Sequence, residues 1–428
     1  MKKASQNKIS LSARVSTIFI ILCIGSLFLL GSMPGTGQSS GEISIFLAGD
    51  AIFNRAWSHF TEPEFLQLID EIRGADVALC NLETLIHTYK GFPQTNSGGT
   101  YMASEPYIAD ELAWAGFDML GVANNHTFNY GSIGVLETIQ FVEGAGMKIA
   151  GGGDLQRARR PVYYYDENGT VALISATSTF ADFQKASNSR PDLHGRAGCN
   201  PLTFTTTTVS TITRATAEHL QKMAKEEGIS ESDIRIAQSR RGGEQLRFLG
   251  QTFQIGDENG TVRITTINES DLEGNLEAVR RAEQVADLVV FSMLYSLGNF
   301  AFQSETVTKL PAEYVEGRGY DHTTTAEEFQ ANTRDSWNRN RAYWEGLVAT
   351  VHFKDGVLEK IRLIPTNLGV GPPGTDGVAL PFGVRGRPVI ADNELGKYLI
   401  DMAAELSKEY GTEIGYITSE NIGVVNIK

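Results

Sequence analysis

The chain carries no surplus of positive charge: 37 lysines and arginines stand against 51 aspartates and glutamates, a formal net charge of −14. That balance argues against a nucleic-acid partner, whose phosphates reward clustered Lys and Arg. Cysteine is scarce, with three in 428 residues. One of them, Cys23, falls in an apolar run near the start, so Cys80 and Cys199 leave room for one disulfide and exclude a disulfide framework. Cys80 sits inside "DVALCNLE", where a free thiol behaves as a small hydrophobe. No internal repeat is visible. What is present is a globular composition, 41% hydrophobic and 21% charged, in a chain long enough for one large or two ordinary domains.

Acidic residues are also missing from the start, where none precedes Glu42. Lys2, Lys3, Lys8 and Arg14 lead instead into an uncharged apolar run, Val15 to Met33. A basic stretch followed by an apolar one is the layout of a secretory signal or signal anchor, and it sets residues 1–37 apart. Pro34 and the small residues after it suit a cleavage region, and the run nearly reaches bilayer-spanning length. Cys23 follows Leu22 rather than a small residue, which speaks against a lipoprotein. The alternative is a buried core helix; the order of charge and apolarity favours export. The chain is therefore expected outside the cytoplasm, on the outer face of the cytoplasmic membrane or in the periplasmic or extracellular space.

Beyond the leader, apolar strands alternate with helical patterns. "EISIFLAGD" closes on Asp50, "DVALCNLE" on Glu83, "DMLGVANNH" on His126 and "MKIAGGGD" on a glycine turn. Helical spacing runs over 64–74, 108–116 and 131–146 between them. This alternation predicts βαβ units in an open parallel sheet, with sites outside the carboxyl ends of its strands. "VYYYDENGTVALISAT" predicts a hairpin, as does "GLVATVHFKDGVLEKIRLIPTNLG" around Lys354-Asp355-Gly356. Residues 180–260 are polar and are expected to be an irregular insertion, with a β-prone threonine run and a helix near Ala215 to Glu227.

One stretch fits poorly. In "ADLVVFSMLYSLGNFAF" (286–302) two apolar runs meet at Met293 and Leu294 with no turn or helix between them. A parallel sheet requires a crossover after each strand. A single strand with a bulge at Ser296 to Gly298 is one reading. An internal deletion is the other, and it would leave ladder groups unpaired and apolar faces exposed at about 25 cal/mol per Å².

Asp50, Glu83 and Asn124-Asn125-His126 each fall where an apolar strand ends, on successive βα units. Carboxylate and amide oxygens with an imidazole suit Mn, Mg, Zn or Fe. Taken singly, each has a plainer role as a turn or helix N-cap residue; three endings in a row favour a site.

The segments "GDAIFNR", "NLET", "SGGTYMA", "GVANNHTFNYG", "AGGGDLQRARRPV" and "YSLGNFAFQ" resemble the CapA capsule-synthesis family, as does the closing "GRPVIADNELGKYLIDMAAELSKEYGTEI". This is the poly-γ-glutamate-associated branch of the calcineurin-like metallophosphoesterase superfamily. The resemblance covers residues 43 to 428 apart from much of 180–260. It implies an α/β fold, an αββα sandwich binding divalent metal, with the domain over 43–366 and its C-terminal extension over 367–428. It also implies Asp50 and Glu83 as metal carboxylates, Asn125 as an amide ligand and His126 as the histidine beside the transferred group. Asn124, Asn129 and Asn299 would support them; in most relatives an acidic residue stands where this chain has Asn129.

The same resemblance bears on the 286–302 stretch. In relatives a His-containing turn, a helix and a Gly-His-x-x-His strand end intervene before YSLGNF. Here that βαβ segment is lacking between Met293 and Leu294, and the implied metal site is incomplete. The expected function is an exported CapA-like, metallophosphoesterase-like protein of capsule or poly-γ-glutamate biosynthesis. Its partners would be an anionic polymer such as poly-γ-glutamate and other capsule-synthesis membrane proteins. The alternative is a non-catalytic polymer-handling or structural component of a cell-envelope assembly.

Overall fold

The computed structural model describes residues 16–22, 26–32, 41–95, 100–230, 233–238, 243–294, 344–369 and 386–427. The chain forms two compact units, Met1–Leu202 with Ser270–Lys428, and Thr203–Glu269.

In chain order the larger unit runs β1 (Ser16–Leu22), β2 (Ser26–Ser32), β3 (Glu42–Ala51), α1 (Pro63–Arg73), β4 (Val77–Leu82) and α2 (Ile108–Ala115). It continues with β5 (Met119–Gly121), α3 (Gly131–Gly144), β6 (Lys148–Ala150), β7 (Val162–Asp166), β8 (Gly169–Thr177), α4 (Glu269–Glu283) and β9 (Leu288–Leu294). β10 (Glu345–Lys354), β11 (Val357–Asn367), α5 (Asn393–Ser407), β12 (Glu413–Ile417) and β13 (Ile422–Asn426) follow. One sheet is ordered β12-β13-β11-β10-β3-β4-β5-β6, the other β1-β2-β9-β8-β7. β3 through β6 pair in parallel, as the βαβ pattern predicts.

Alternation along the strands builds the layers. Ile43, Ile45 and Leu47 of β3 share a buried cluster with Val171 and Leu173 of β8 and Leu288 and Val290 of β9, so the two sheets pack face to face. Phe46, between them in sequence, points the other way into a cluster with α1, α2 and α3. α1 starts with Pro63 in its first turn and buries Phe65, Leu68, Ile69 and Ile72, a single helical stripe. α4 covers the far face of the second sheet through Ala278 and Ala282 against Ala172, Ile174 and Val289. The sequence of layers is helix, sheet, sheet, helix. All six residues of β4 are buried, which explains its unbroken apolar run. Asp355 and Gly356, at φ 50° and 73°, close the β10–β11 hairpin as a two-residue turn with both residues left-handed.

Several expectations are corrected. The strand expected to reach His126 stops at Gly121, because Asn124 and Thr127 bond the local backbone and turn the chain. The strand of "MKIAGGGD" closes on a glycine turn as expected, at Gly151, whose φ of 93° brings its backbone so close to Ala123 that a Cβ would lie 2.9 Å from Ala123 N. Cys80 and Cys199 are both free and buried.

The segment expected to be irregular is a folded unit. Its sheet orders strands Ile234–Gln238, Glu244–Phe248, Gln251–Gly256, Phe204–Thr213 and Gly260–Ile267, and helix Arg214–Glu226 packs on one face through Ala217 and Ala224.

The apolar run expected to serve as an export signal or anchor lies in the β1–β2 hairpin, with β2 pairing antiparallel along β9. Among the described residues no helix is long and apolar enough to cross a membrane. β9 passes through Met293 and Leu294 as one strand, in parallel register with Ala176 and Thr177 of β8. The ladder on its other side, expected to be unpaired, is taken by β2. Asn299 and the rest of "YSLGNFAFQ" lie outside the described residues.

Candidate metal centre

Asp50 ends β3, Glu83 follows β4 directly, and Asn124 to His126 follow β5. These are the carboxyl ends of three adjacent parallel strands, where open α/β sheets place their sites. A register shift between Leu47 and Asp50 puts one extra residue in β3, so that Asp50 pairs with Asn81. Asn81 Nδ2 donates to Asp50 Oδ1 at 2.8 Å. Asn81 was not among the residues expected at the site, although it stands two positions before Glu83 in the same motif.

Asn124, 2% exposed, ties the three strand ends together. Its Nδ2 donates to Leu82 O at 2.8 Å and to Asn81 Oδ1 at 3.3 Å, while its Oδ1 accepts from His126 N at 2.9 Å. Asn124 is thus an organiser of the turn rather than a group facing a ligand. Asn125 lies half-buried in the same turn, and among the described residues its side chain has no hydrogen bond, so its amide is unengaged.

His126 is buried, with Nδ1 2.7 Å from Asn129 Oδ1 and Nε2 3.9 Å from Glu83 Oε1. Met102 N donates to the same Asn129 oxygen at 2.9 Å, which identifies it as an acceptor. His126 Nδ1 therefore carries the proton, and in the neutral ring Nε2 turns its lone pair toward Glu83. Asn129, without charge, performs the orienting task a carboxylate performs elsewhere. Its Nδ2 is buried without a partner among the described residues.

Glu83 and Asp50 are neighbouring carboxyl groups. Burial, then the neighbouring Asp50 charge, push the Glu83 carboxyl up to about 8. Two neighbouring carboxyl groups are what a divalent cation would otherwise neutralise. The donor chemistry, carboxylate oxygen with imidazole nitrogen, suits a hard or borderline divalent ion. Yet among the described residues no three His, Cys, Asp or Glu side chains are grouped closely enough to hold a metal by themselves.

The family model of the bacterial capsule synthesis protein PGA_cap matches residues 44–294. The chain belongs to this family. The match takes in every candidate ligand on the first three strand ends and stops at the end of β9. Uncharacterized protein y4uA of Sinorhizobium fredii (strain NBRC 101917 / NGR234) is 24% identical over 466 residues, 93% of this chain and 96% of its own. Uncharacterized protein y4sH of the same strain matches to the same extent. Capsule biosynthesis protein CapA of Bacillus anthracis is 22% identical over 176 residues, 39% of this PGA_cap chain and 42% of its own.

Proposed function

We propose that this PGA_cap protein is an exported component of capsule-polymer biosynthesis, handling an anionic polymer of the poly-γ-glutamate type, with a metallophosphoesterase-like site that is incomplete. Asp50, Glu83 and His126, with Asn125 as an amide ligand, are the residues that would take a divalent ion, and they would take it weakly because they are not grouped closely enough to hold one as they stand. Such an ion supplies Lewis acidity and a bound water of lowered pKa. Asn129 holds the His126 ring in its tautomer, and Asn124 and Asn81 hold the carboxylate-bearing strand ends in register. A second ion would need ligands from the other half of the fold, and that half contains no histidine turn between Met293 and Leu294.

The observation that carries this reading is the convergence of Asp50, Glu83 and His126 at three adjacent strand ends. A missing segment requires relatives with residues that this chain lacks. The 466 aligned positions exceed the full 428 residues of this chain, so both Sinorhizobium relatives carry residues that it lacks. A second reading, a non-catalytic polymer-handling component of the envelope, is favoured by the absence of a three-ligand cluster among the described residues. Titration of chelator-treated protein with Mn²⁺ and Zn²⁺ by calorimetry tests the site. One weakly held equivalent is expected. Two tightly held equivalents per chain would show that the centre is complete and the deletion argument wrong.

A further inference from the structure

The unit Thr203–Glu269 has a sheet with two unlike faces. Ile212, Ile234 and Leu246 point to the side covered by helix Arg214–Glu226. Their neighbours in sequence point to the other side, because side chains alternate along a strand. Register places the opposite-face residues side by side: Arg235 is directly across from Arg247, Arg247 from Thr252, and Gln254 from both Gln245 and Thr211. Arg235, Arg247 and Thr252 are exposed.

Two features of this face stand out against the rest of the chain. The first is charge. Over 203–269 eight lysines and arginines meet nine aspartates and glutamates, a net of −1 within a chain of net −14. None of the acidic residues occupies the opposite-face positions of the five strands, so this face is positive in an acidic protein. The second is the arginine pair itself. Residues directly opposed on neighbouring strands have Cβ atoms about 4.5–5.5 Å apart, and like charges there repel. Among the described residues no carboxylate pairs with either guanidinium, whereas Arg214, at the other side's helix start, is paired with both Glu218 and Glu244. The unit neutralises one arginine twice and leaves two others adjacent and open.

We propose that this uncovered face is a docking surface for a linear polymer of carboxylates. Each guanidinium offers a planar fork matched to a carboxylate, and an anion lying between Arg235 and Arg247 converts their repulsion into attraction to both. Gln245, Gln254, Thr211 and Thr252 add amide and hydroxyl donors along the same face. Five strands at about 4.8 Å spacing give a platform roughly 19 Å across, room for several repeats of an extended chain. The inference rests on the reading of this protein as a polymer-handling capsule component. It adds a surface on the unit Thr203–Glu269, whereas the strand-end site belongs to the larger unit.

The test uses the full chain and fluorescein-labelled poly-γ-glutamate, followed by fluorescence anisotropy at about 50 and 300 mM NaCl. The parent is expected to bind, more weakly at the higher salt, since exposed charges are screened. The double variant Arg235→Gln/Arg247→Gln should lose at least about tenfold in affinity while keeping the parent's circular dichroism and melting temperature. Arg235→Lys/Arg247→Lys, which keeps the charge without the fork, should fall between them. Equal affinity of parent and Gln variant would overturn the surface and leave the polymer reading standing. A parent that binds no poly-γ-glutamate at either salt would overturn both.

Discussion

Asn129 presents its side-chain oxygen to His126 Nδ1 at 2.7 Å and to Met102 N at 2.9 Å, while its own Nδ2 is buried without a partner among the described residues. The amide does one half of its work well and leaves the other half unsatisfied, at a cost of about 1–3 kcal/mol for a buried donor. A carboxylate in its place would accept both bonds and leave no orphan. Outer-shell partners of ligating histidines commonly change metal affinity by about 10–100-fold. Asn129→Asp should therefore bind Mn²⁺ at least about tenfold more tightly than the parent, and Asn129→Leu more weakly, by calorimetry at one fixed pH. Unchanged affinity in the Asp variant would remove Asn129 from the site.

The Glu83–Asp50 pair makes the metal-free protein sensitive to pH. Glu83 is lifted from its ordinary value of 4.5 to about 8, first by burial and then by Asp50. A folded-state value above the unfolded one means that the folded chain holds a proton the unfolded chain gives up. The resulting stabilisation is complete below about pH 4.5 and is lost as pH rises through about 8. In chelator-containing buffer the melting temperature should decline between pH 5 and 8. Glu83→Gln should flatten that decline, and parallel curves for the two proteins would contradict the pairing.

How much of this was readable from the chain depends on the residue. Asp50, Glu83 and His126 were legible because each follows an apolar strand, and strand ends on one side of a parallel sheet converge by geometry. Asn124 was visible as part of the same motif, but its role as a clamp on Leu82 O and His126 N was not, since it depends on which partners the turn brings near. Asn81 was hidden because it reads as one polar residue inside a strand, and only the extra residue in β3 sets it against Asp50. The unit Thr203–Glu269 looked irregular because threonine-rich strands with one exposed face carry few apolar residues, and its core is assembled from positions far apart in sequence.

That clamp can be weighed. Replacing Asn124 with Ala strands two buried backbone groups, Leu82 O and His126 N, and empties the space between β4 and the turn. Each unsatisfied buried group costs about 1–3 kcal/mol, so Asn124→Ala should lose about 2–4 kcal/mol in urea unfolding. Asn125→Ala, whose side chain has no hydrogen bond among the described residues, should stay within about 0.5 kcal/mol of the parent, as substitutions away from such features usually do. Equal losses for the two would refute the distinction between clamp and ligand.

The N-terminal run poses a choice between two roles. As an export signal, Val15 to Met33 would place everything after about Gly37 outside the cytoplasmic membrane; as the β1–β2 hairpin, it covers the free edge of β9. A reporter that fluoresces only in the cytoplasm, fused after Lys428, should stay dark. Bright cells would rule out export.

The continuity of β9 through Met293 and Leu294 leads to the furthest-reaching test. A two-metal phosphoesterase-like centre draws ligands from both halves of its fold, and the ligands proposed here, Asp50, Glu83, Asn125 and His126, all come from the first half. On the proposed reading several positioned ligands are missing together, each worth about 10–100-fold in affinity or activity, so the chain as it stands should show little chelator-sensitive turnover. A variant with a His-containing crossover of the kind the family resemblance implies, inserted between Met293 and Leu294, should gain metal-dependent hydrolysis of a generic phosphodiester or of poly-γ-glutamate. It should also take up more metal than the parent, so that restored binding and restored catalysis are read separately. Metal uptake without turnover would mean that the first-half residues hold ions but do not position a substrate. Equal chelator-sensitive rates from parent and variant would mean that β9 is intact as it is, and that the protein never depended on a second set of ligands.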